Sequence, residues 1–179
     1  TFVYTPTRFQ DDGQATKIRE KWIETKTLVP AQYLGSVLQL LHEHEATVEA
    51  TETMPDGRTQ IVAHMPLREM MRNFFDKLKN ASSGFASLSY ELKGYREANV
   101  TRLDVLIAEE IAPAFSRIVS KLRVQEEARE MVSKIKDALP RQLFVVKIQA
   151  KSQGKIIASE KLSAMCKDVT GYLYGGDVT

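Results

Sequence analysis

The chain lacks the features that would mark a disulfide-bonded, membrane-spanning or metal-clustered protein. A single cysteine, Cys166, among 179 residues excludes an internal disulfide and any multi-cysteine metal site, and it fits a reducing compartment. No apolar run approaches the roughly 18 residues a membrane-spanning helix needs, and the longest, near Leu38, is cut off by His42 and Glu43. No basic segment leads into an apolar one near Thr1, so no signal peptide is visible. With no initiator methionine either, the chain is expected to be a piece of a longer polypeptide. Also missing is the glycine-rich loop ending in Gly-Lys-Ser or Gly-Lys-Thr on which nucleotide hydrolysis depends. Asp168-Val169-Thr170-Gly171 matches a short GTPase switch pattern, but so few fixed positions recur by chance, and no phosphate loop accompanies them. There is no internal repeat and no low-complexity tract.

What is present is an ordinary globular composition, 43% hydrophobic and 27% charged, with 25 Lys and Arg against 23 Asp and Glu. The near balance hides an asymmetry: Thr1 to Tyr95 carries 11 basic and 12 acidic residues, Arg96 to Thr179 carries 14 and 11. Within Arg141 to Lys167 the basic residues are Arg141, Lys147, Lys151, Lys155, Lys161 and Lys167, against Glu160 alone. Such a local excess suits a polyanionic partner such as RNA, the alternative being a solvated lysine-rich face.

Periodicity supplies the architecture. Residues 1–20 are polar and turn-rich, with a turn expected at Asp11-Asp12-Gly13, and read as the end of a preceding domain or a linker. Lys21 to Val29 has strand composition and stops at Pro30, which suits the first turn of a helix. Tyr33, Leu34, Val37, Leu38, Leu40 and Leu41 form a helical apolar face ending near His44. Two strands, Ala46 to Thr53 and Arg58 to Met65, flank Pro55-Asp56-Gly57 and predict a hairpin. Leu67, Met70, Met71, Phe74, Phe75 and Leu78 give the strongest helical pattern, and Leu88, Tyr90 and Leu92 alternate as a strand after Gly84. This order predicts an α+β class, with a ferredoxin-like antiparallel sheet and two helices over 21–97, followed by a second α+β domain over 98–179.

In that second domain Leu103, Val105 and Ile107 alternate, and Ile111 to Val119 reads as extended. Lys121 to Leu139 is helical and stops before Pro140. Leu143 to Lys151 and Lys155 to Lys161 form a hairpin through Ser152-Gln153-Gly154, with a short helix expected over Leu162 to Val169. Residues two apart on a strand share a face, so Lys147 and Lys151 point one way, as do Lys155 and Lys161 if that strand stays regular.

Candidate chemistry is sparse. His42 and His44 lie two apart on a helix and cannot grip one metal ion together, and His64 stands alone on its strand. Cys166 beside Lys167 has no histidine near it in sequence, Glu109-Glu110 and Glu126-Glu127 read as solvated surface, and Met70 and Met71 read as core. No catalytic residues and no metal ligands are assigned. The ring-stacking pattern of RNA-recognition sheets is missing, since Tyr90 has Leu88 and Leu92 as same-face neighbours.

Pro30-Ala31-Gln32-Tyr33-Leu34-Gly35 and Met65-Pro66-Leu67-Arg68-Glu69-Met70 resemble the last ferredoxin-like domain of the elongation factor G superfamily. Phe74 to Lys79, Gly84 to Leu92 and Gly94-Tyr95-Arg96-Glu97 narrow the resemblance to the LepA family, the back-translocating elongation factors. Pro140 to Phe144, Ile148-Gln149-Ala150, Gly154 to Ala158, Lys167-Asp168-Val169 and Tyr174-Gly175-Gly176-Asp177 resemble the C-terminal domain special to that family. The chain departs from the family pattern at Ser159 and Cys166, each standing where an arginine is usual.

The resemblance implies a C-terminal fragment without catalysis of its own, preceded in the whole protein by a GTPase domain using GTP and Mg and by a β-barrel domain. It implies a monomeric factor acting on elongating ribosomes, in back-translocation, fidelity or ribosome function under stress. The implied partners are ribosomal RNA and tRNA. The implied place is the cytoplasm, with peripheral association at the inner face of the bacterial cell membrane, or alternatively the mitochondrial matrix. The six basic residues from Arg141 to Lys167 are the candidate RNA-binding set. The rival reading is a structural or protein-interaction module without direct RNA contact.

Overall fold

The computed structural model describes residues 3–9 and 17–165, and these divide into two compact units. One comprises Lys17–Ala98; the other holds residues 99–165 together with 3–9.

The first unit alternates strands and helices: β1 (Arg19–Pro30), α1 (Leu34–Glu43), β2 (Thr47–Thr53), β3 (Arg58–Pro66), α2 (Leu67–Met70), α3 (Phe74–Ala81) and β4 (Ser87–Glu97). Its four strands are antiparallel in the order β2-β3-β1-β4, the expected ferredoxin-like sheet. Alternation decides the faces. Ile23, Thr25, Thr27 and Val29 of β1 lie opposite Met65, Ala63, Ile61 and Thr59 of β3, and all eight are buried. Val37, Leu40 and Leu41 of α1, with Met70, Phe74 and Leu78, complete that core.

The expected single helix over Leu67 to Leu78 is in fact two. Asn73 adopts a left-handed conformation, φ 55°, which asparagine tolerates better than most residues, and it separates α2 from α3. The apolar pattern is split accordingly: Met70, Phe74 and Leu78 are buried, whereas Met71 and Phe75, one step around the helix, are 77% and 51% exposed. A β-bulge interrupts β4, where Lys93 and Gly94 occupy the ladder opposite Trp22, and Gly94 supplies the required φ of 90°.

The second unit has β5 (Val100–Ile107), β6 (Glu110–Ile111), β7 (Arg117–Ser120), α4 (Val124–Ala138), β8 (Val146–Ser152) and β9 (Lys155–Leu162). Its sheet runs β6-β5-β8-β9, with β7 also pairing β5. The extended run expected from Ile111 to Val119 is broken by a 3-10 turn at Pro113–Phe115. Ala128, Met131, Val132 and Ile135 of α4 pack on Leu103, Val105, Ile148 and Ala150. The helix stops where Leu139 turns extended (ψ 134°) before Pro140, whose ring disfavours a helical predecessor.

Leu143 to Val145 precede β8 as exposed chain rather than opening the strand. No helix starts at Leu162. That residue ends β9, Met165 donates its amide to the Gln142 carbonyl at 2.8 Å, and the rest of the expected helix lies outside the described residues, as does the Asp11-Asp12-Gly13 turn. Residues 3–9 pack with this unit: Phe9 is buried, and Arg102 Nη1 donates to its carbonyl at 2.7 Å.

Candidate nucleic-acid interface

The two faces of the second sheet differ in chemistry because one is covered by α4. On β8, Val146, Ile148, Ala150 and Ser152 are buried on the α4 side, which turns Lys147, Gln149 and Lys151 to the other face. On β9, Ala158 lies opposite Ala150 and Glu160 opposite Ile148, so both face α4, where Lys136 Nζ meets Glu160 Oε2 at 2.9 Å. Ser159 and Lys161 therefore face outward, opposite Gln149 and Lys147.

The regularity assumed for β9 fails at one point. Between Ala150 and Lys151 the register shifts by a residue, leaving Ile157 as an extra residue. Lys155, opposite Ser152, is consequently on the α4 side, away from Lys161. Of the six sequence candidates, the fold gathers Lys147, Lys151 and Lys161 on one open face. Arg141 is exposed in the segment between α4 and β8, and Lys167 lies outside the described residues.

Lys147 and Lys161 are directly opposed, and both are exposed. Side chains so placed are about 5 Å apart at their Cβ atoms, and like charges there destabilise a sheet. Glu109 comes within 3.9 Å of the Lys147 ammonium but is 78% exposed, so that pair contributes little. Asp104, opposite Lys151, is committed elsewhere: Arg102 Nε donates to it at 2.9 Å and Ser116 Oγ at 2.7 Å. Lys151 and Lys161 have no ion-pair partner among the described residues. Leu106, Gln149, Ile156 and Ser159, with Ile111 opposite Leu106, are further open-face positions, and none of them offers a ring for base stacking.

The first unit's open face is different in kind. Glu24 and Glu91 lie opposite each other, and Lys93 Nζ stands 3.6 Å from Glu24 and 3.5 Å from Glu91, which raises the lysine pKa, mainly through Glu24. His64, alone on β3, meets carboxylates from the neighbouring strands: its Nε2 is 2.6 Å from Glu49 Oε2 and 3.9 Å from Glu24 Oε2. These three could contribute ligand atoms within 4.8 Å of one another. Lys93 already compensates Glu24, however, and His64 Nδ1 has no second partner to orient the ring as a metal ligand usually requires. The cluster is accounted for as a charge network. Tyr90 is opposite Thr25 and hence on the helix side, so it cannot serve as an open-face stacking ring.

Sequence reasoning missed the buried polar residues. Glu69 and His44 are fully buried, with His44 Nδ1 3.2 Å from the Glu69 carboxylate, which also accepts from Arg68 Nη1 at 2.6 Å and Arg72 Nε at 3.0 Å. Burial alone would lower the Arg68 pKa, but Glu20, Glu45 and Glu69 outweigh it and raise it. Glu127, read as surface, is 8% exposed with Arg123 at 4.0 Å.

This architecture defines a two-unit α+β protein with a ferredoxin-like sheet and a basic-faced second sheet. Residues 17–106 match the family described as elongation factor G C-terminus, and residues 107–179 match GTP-binding protein LepA C-terminus. The chain belongs to the LepA family and carries its C-terminal part. It is 43% identical over 178 residues to "Elongation factor 4" of Mycoplasmopsis synoviae, covering 99% of this chain and 29% of the relative. It is 37% identical over its full 179 residues to "Translation factor GUF1 homolog, chloroplastic" of Arabidopsis thaliana, covering 26% of that protein. With "Elongation factor 4" of Solibacter usitatus the identity is 39% over 177 residues, 99% of this chain and 29% of the relative. The chain thus spans less than a third of the length of these translation factors.

Proposed function

We propose that this chain is the RNA-contacting end of a ribosome-binding translational GTPase, and that it holds RNA through the open face of its second sheet. The observation that carries this reading is the outward trio Lys147, Lys151 and Lys161, with Lys147 and Lys161 directly opposed. A phosphate between two opposed ammonium groups relieves their repulsion, so the pair is better suited to a polyanion than to water. Lysine contacts to phosphate gain affinity through counterion release and carry little sequence information, and the lack of rings among the described strand positions of this face fits backbone recognition.

The ferredoxin-like unit serves as a docking body on the ribosome. In the whole protein, GTP and Mg act in a catalytic domain that this chain does not contain, and the factor works on elongating ribosomes. The test is co-sedimentation of the 179-residue chain with ribosomes, alongside the Lys147→Glu/Lys161→Glu variant. The reading expects the variant to keep its circular dichroism spectrum and lose ribosome binding. Undiminished binding in the folded variant would favour an interaction module that does not use RNA contacts on this face.

A further inference from the structure

The β8–β9 hairpin does not keep the register that its own turn dictates. Gln153 and Gly154 have φ of 49° and 76°, the geometry of a two-residue turn that sets Lys155 opposite Ser152. Continued without a bulge, that register would put Glu160 opposite Lys147 and Lys161 opposite Val146. The open face of the two strands would then carry Lys147, Lys151 and Glu160. The extra residue Ile157 slips the ladder by one, so Lys161 replaces Glu160 on that face. A one-residue slip exchanges faces because the side-chain period of a strand is two.

Two side chains of α4 hold the slipped register. Gln125 Nε2 donates to the carbonyl of Ile157, the bulged residue, at 2.6 Å, and Lys136 Nζ donates to Glu160 Oε2 on the covered face at 2.9 Å. The core agrees with them, since the same slip turns Ala158 and Leu162 inward, Leu162 being 8% exposed. We infer that Gln125, seconded by Lys136, is a positioning residue that sets the charge of the RNA-facing surface, keeping Lys161 outward and Glu160 inward. This rests on the reading of that face as RNA-binding.

Gln125→Glu and Gln125→Lys separate this role from mere packing. The glutamate is the same size but cannot donate to a carbonyl, whereas the lysine can. Cross-strand nuclear Overhauser contacts of residue 147 report the register, running to residue 161 when slipped and to residue 160 when not. The wild-type chain and Gln125→Lys are expected to keep the 147–161 contact. Gln125→Glu should gain the 147–160 contact and bind fluorescent tRNA roughly five- to tenfold more weakly near 0.1 M salt, the worth of one phosphate contact.

Lys136→Met should move both readouts in the same direction, and it decides the matter should Gln125→Glu not fold. An unchanged 147–161 contact in the folded Gln125→Glu or Lys136→Met variant would overturn the inference, as would identical behaviour of the Glu and Lys variants. Absence of tRNA binding by the wild-type chain would instead remove the RNA reading, with the register contacts still deciding the role of Gln125.

Discussion

Glu69 shows how a carboxylate is accommodated at zero exposure: two arginines and a histidine meet its oxygens. Removing one member of such a set leaves buried charge uncompensated, so Glu69→Ala should lower unfolding free energy by about 3–5 kcal/mol in a denaturant titration. A loss near zero would mean that water replaces the carboxylate freely. Glu45, at the edge of the same network, titrates above its usual range because burial and its hydrogen bond with Glu69 outweigh the attraction of Arg68. A carboxyl raised on folding contributes stability below its unfolded value, 4.5, and that contribution is lost as pH rises through the higher folded value. Glu45→Gln should therefore match wild type near about pH 4 and show the higher denaturation midpoint near pH 7; a lower midpoint at pH 7 would make the Arg68 ion pair the dominant effect. None of this was legible in the sequence, because apolar periodicity does not register a polar residue whose partners lie on other elements. Glu127 was misread for the same reason: it flanks the stripe led by Ala128, and its burial comes from the elements packed beside it.

At the scale of elements, alternation and helical spacing did specify most of the fold, including the order of the ferredoxin-like unit and the inward face of β8. Phe74 is the plainest case. It is fully buried at the start of α3 and meets the His44 ring edge-on at 5.1 Å between centroids. Phe74→Ala should cost about 3–5 kcal/mol through the cavity it leaves, and a cost under about 1 kcal/mol would mean that the face is misassigned. The same spacing could not foresee the break at Asn73, which depends on a left-handed backbone, nor therefore the exposure of Met71 and Phe75. For the basic face, the missed step was the bulge in β9. Its trace was the adjacent apolar pair Ile157 and Ala158, both packed on the core, since strict alternation would put one of them outward. Gly154 is open to a larger side chain but has φ 76°, so Gly154→Ala should destabilise by about 1–2 kcal/mol through backbone strain alone. An unchanged thermal midpoint would show that the turn can adopt another geometry.

The molecule as a whole joins two units of unlike surface. The first unit's open face mixes Glu24, Glu49 and Glu91 with Lys93 and His64, whereas the second presents Lys147, Lys151 and Lys161. Having no phosphate-cradling loop, the 179-residue chain should give no saturable heat with GTP in titration calorimetry. Micromolar binding, about −8 kcal/mol, would contradict the assignment of catalysis to another part of the whole protein. The central claim is that the open face of the second sheet, and not its lysine content in general, meets RNA phosphate. The salt dependence of tRNA affinity tests it most directly, compared among wild type, Lys161→Ala and Lys155→Ala. Each phosphate contact contributes about 0.9 to the slope of log affinity against log salt, so Lys161→Ala should reduce the slope by about one. Lys155→Ala, on the α4 side, should leave it unchanged. Equal slopes for all three proteins, or a loss confined to Lys155→Ala, would contradict the account.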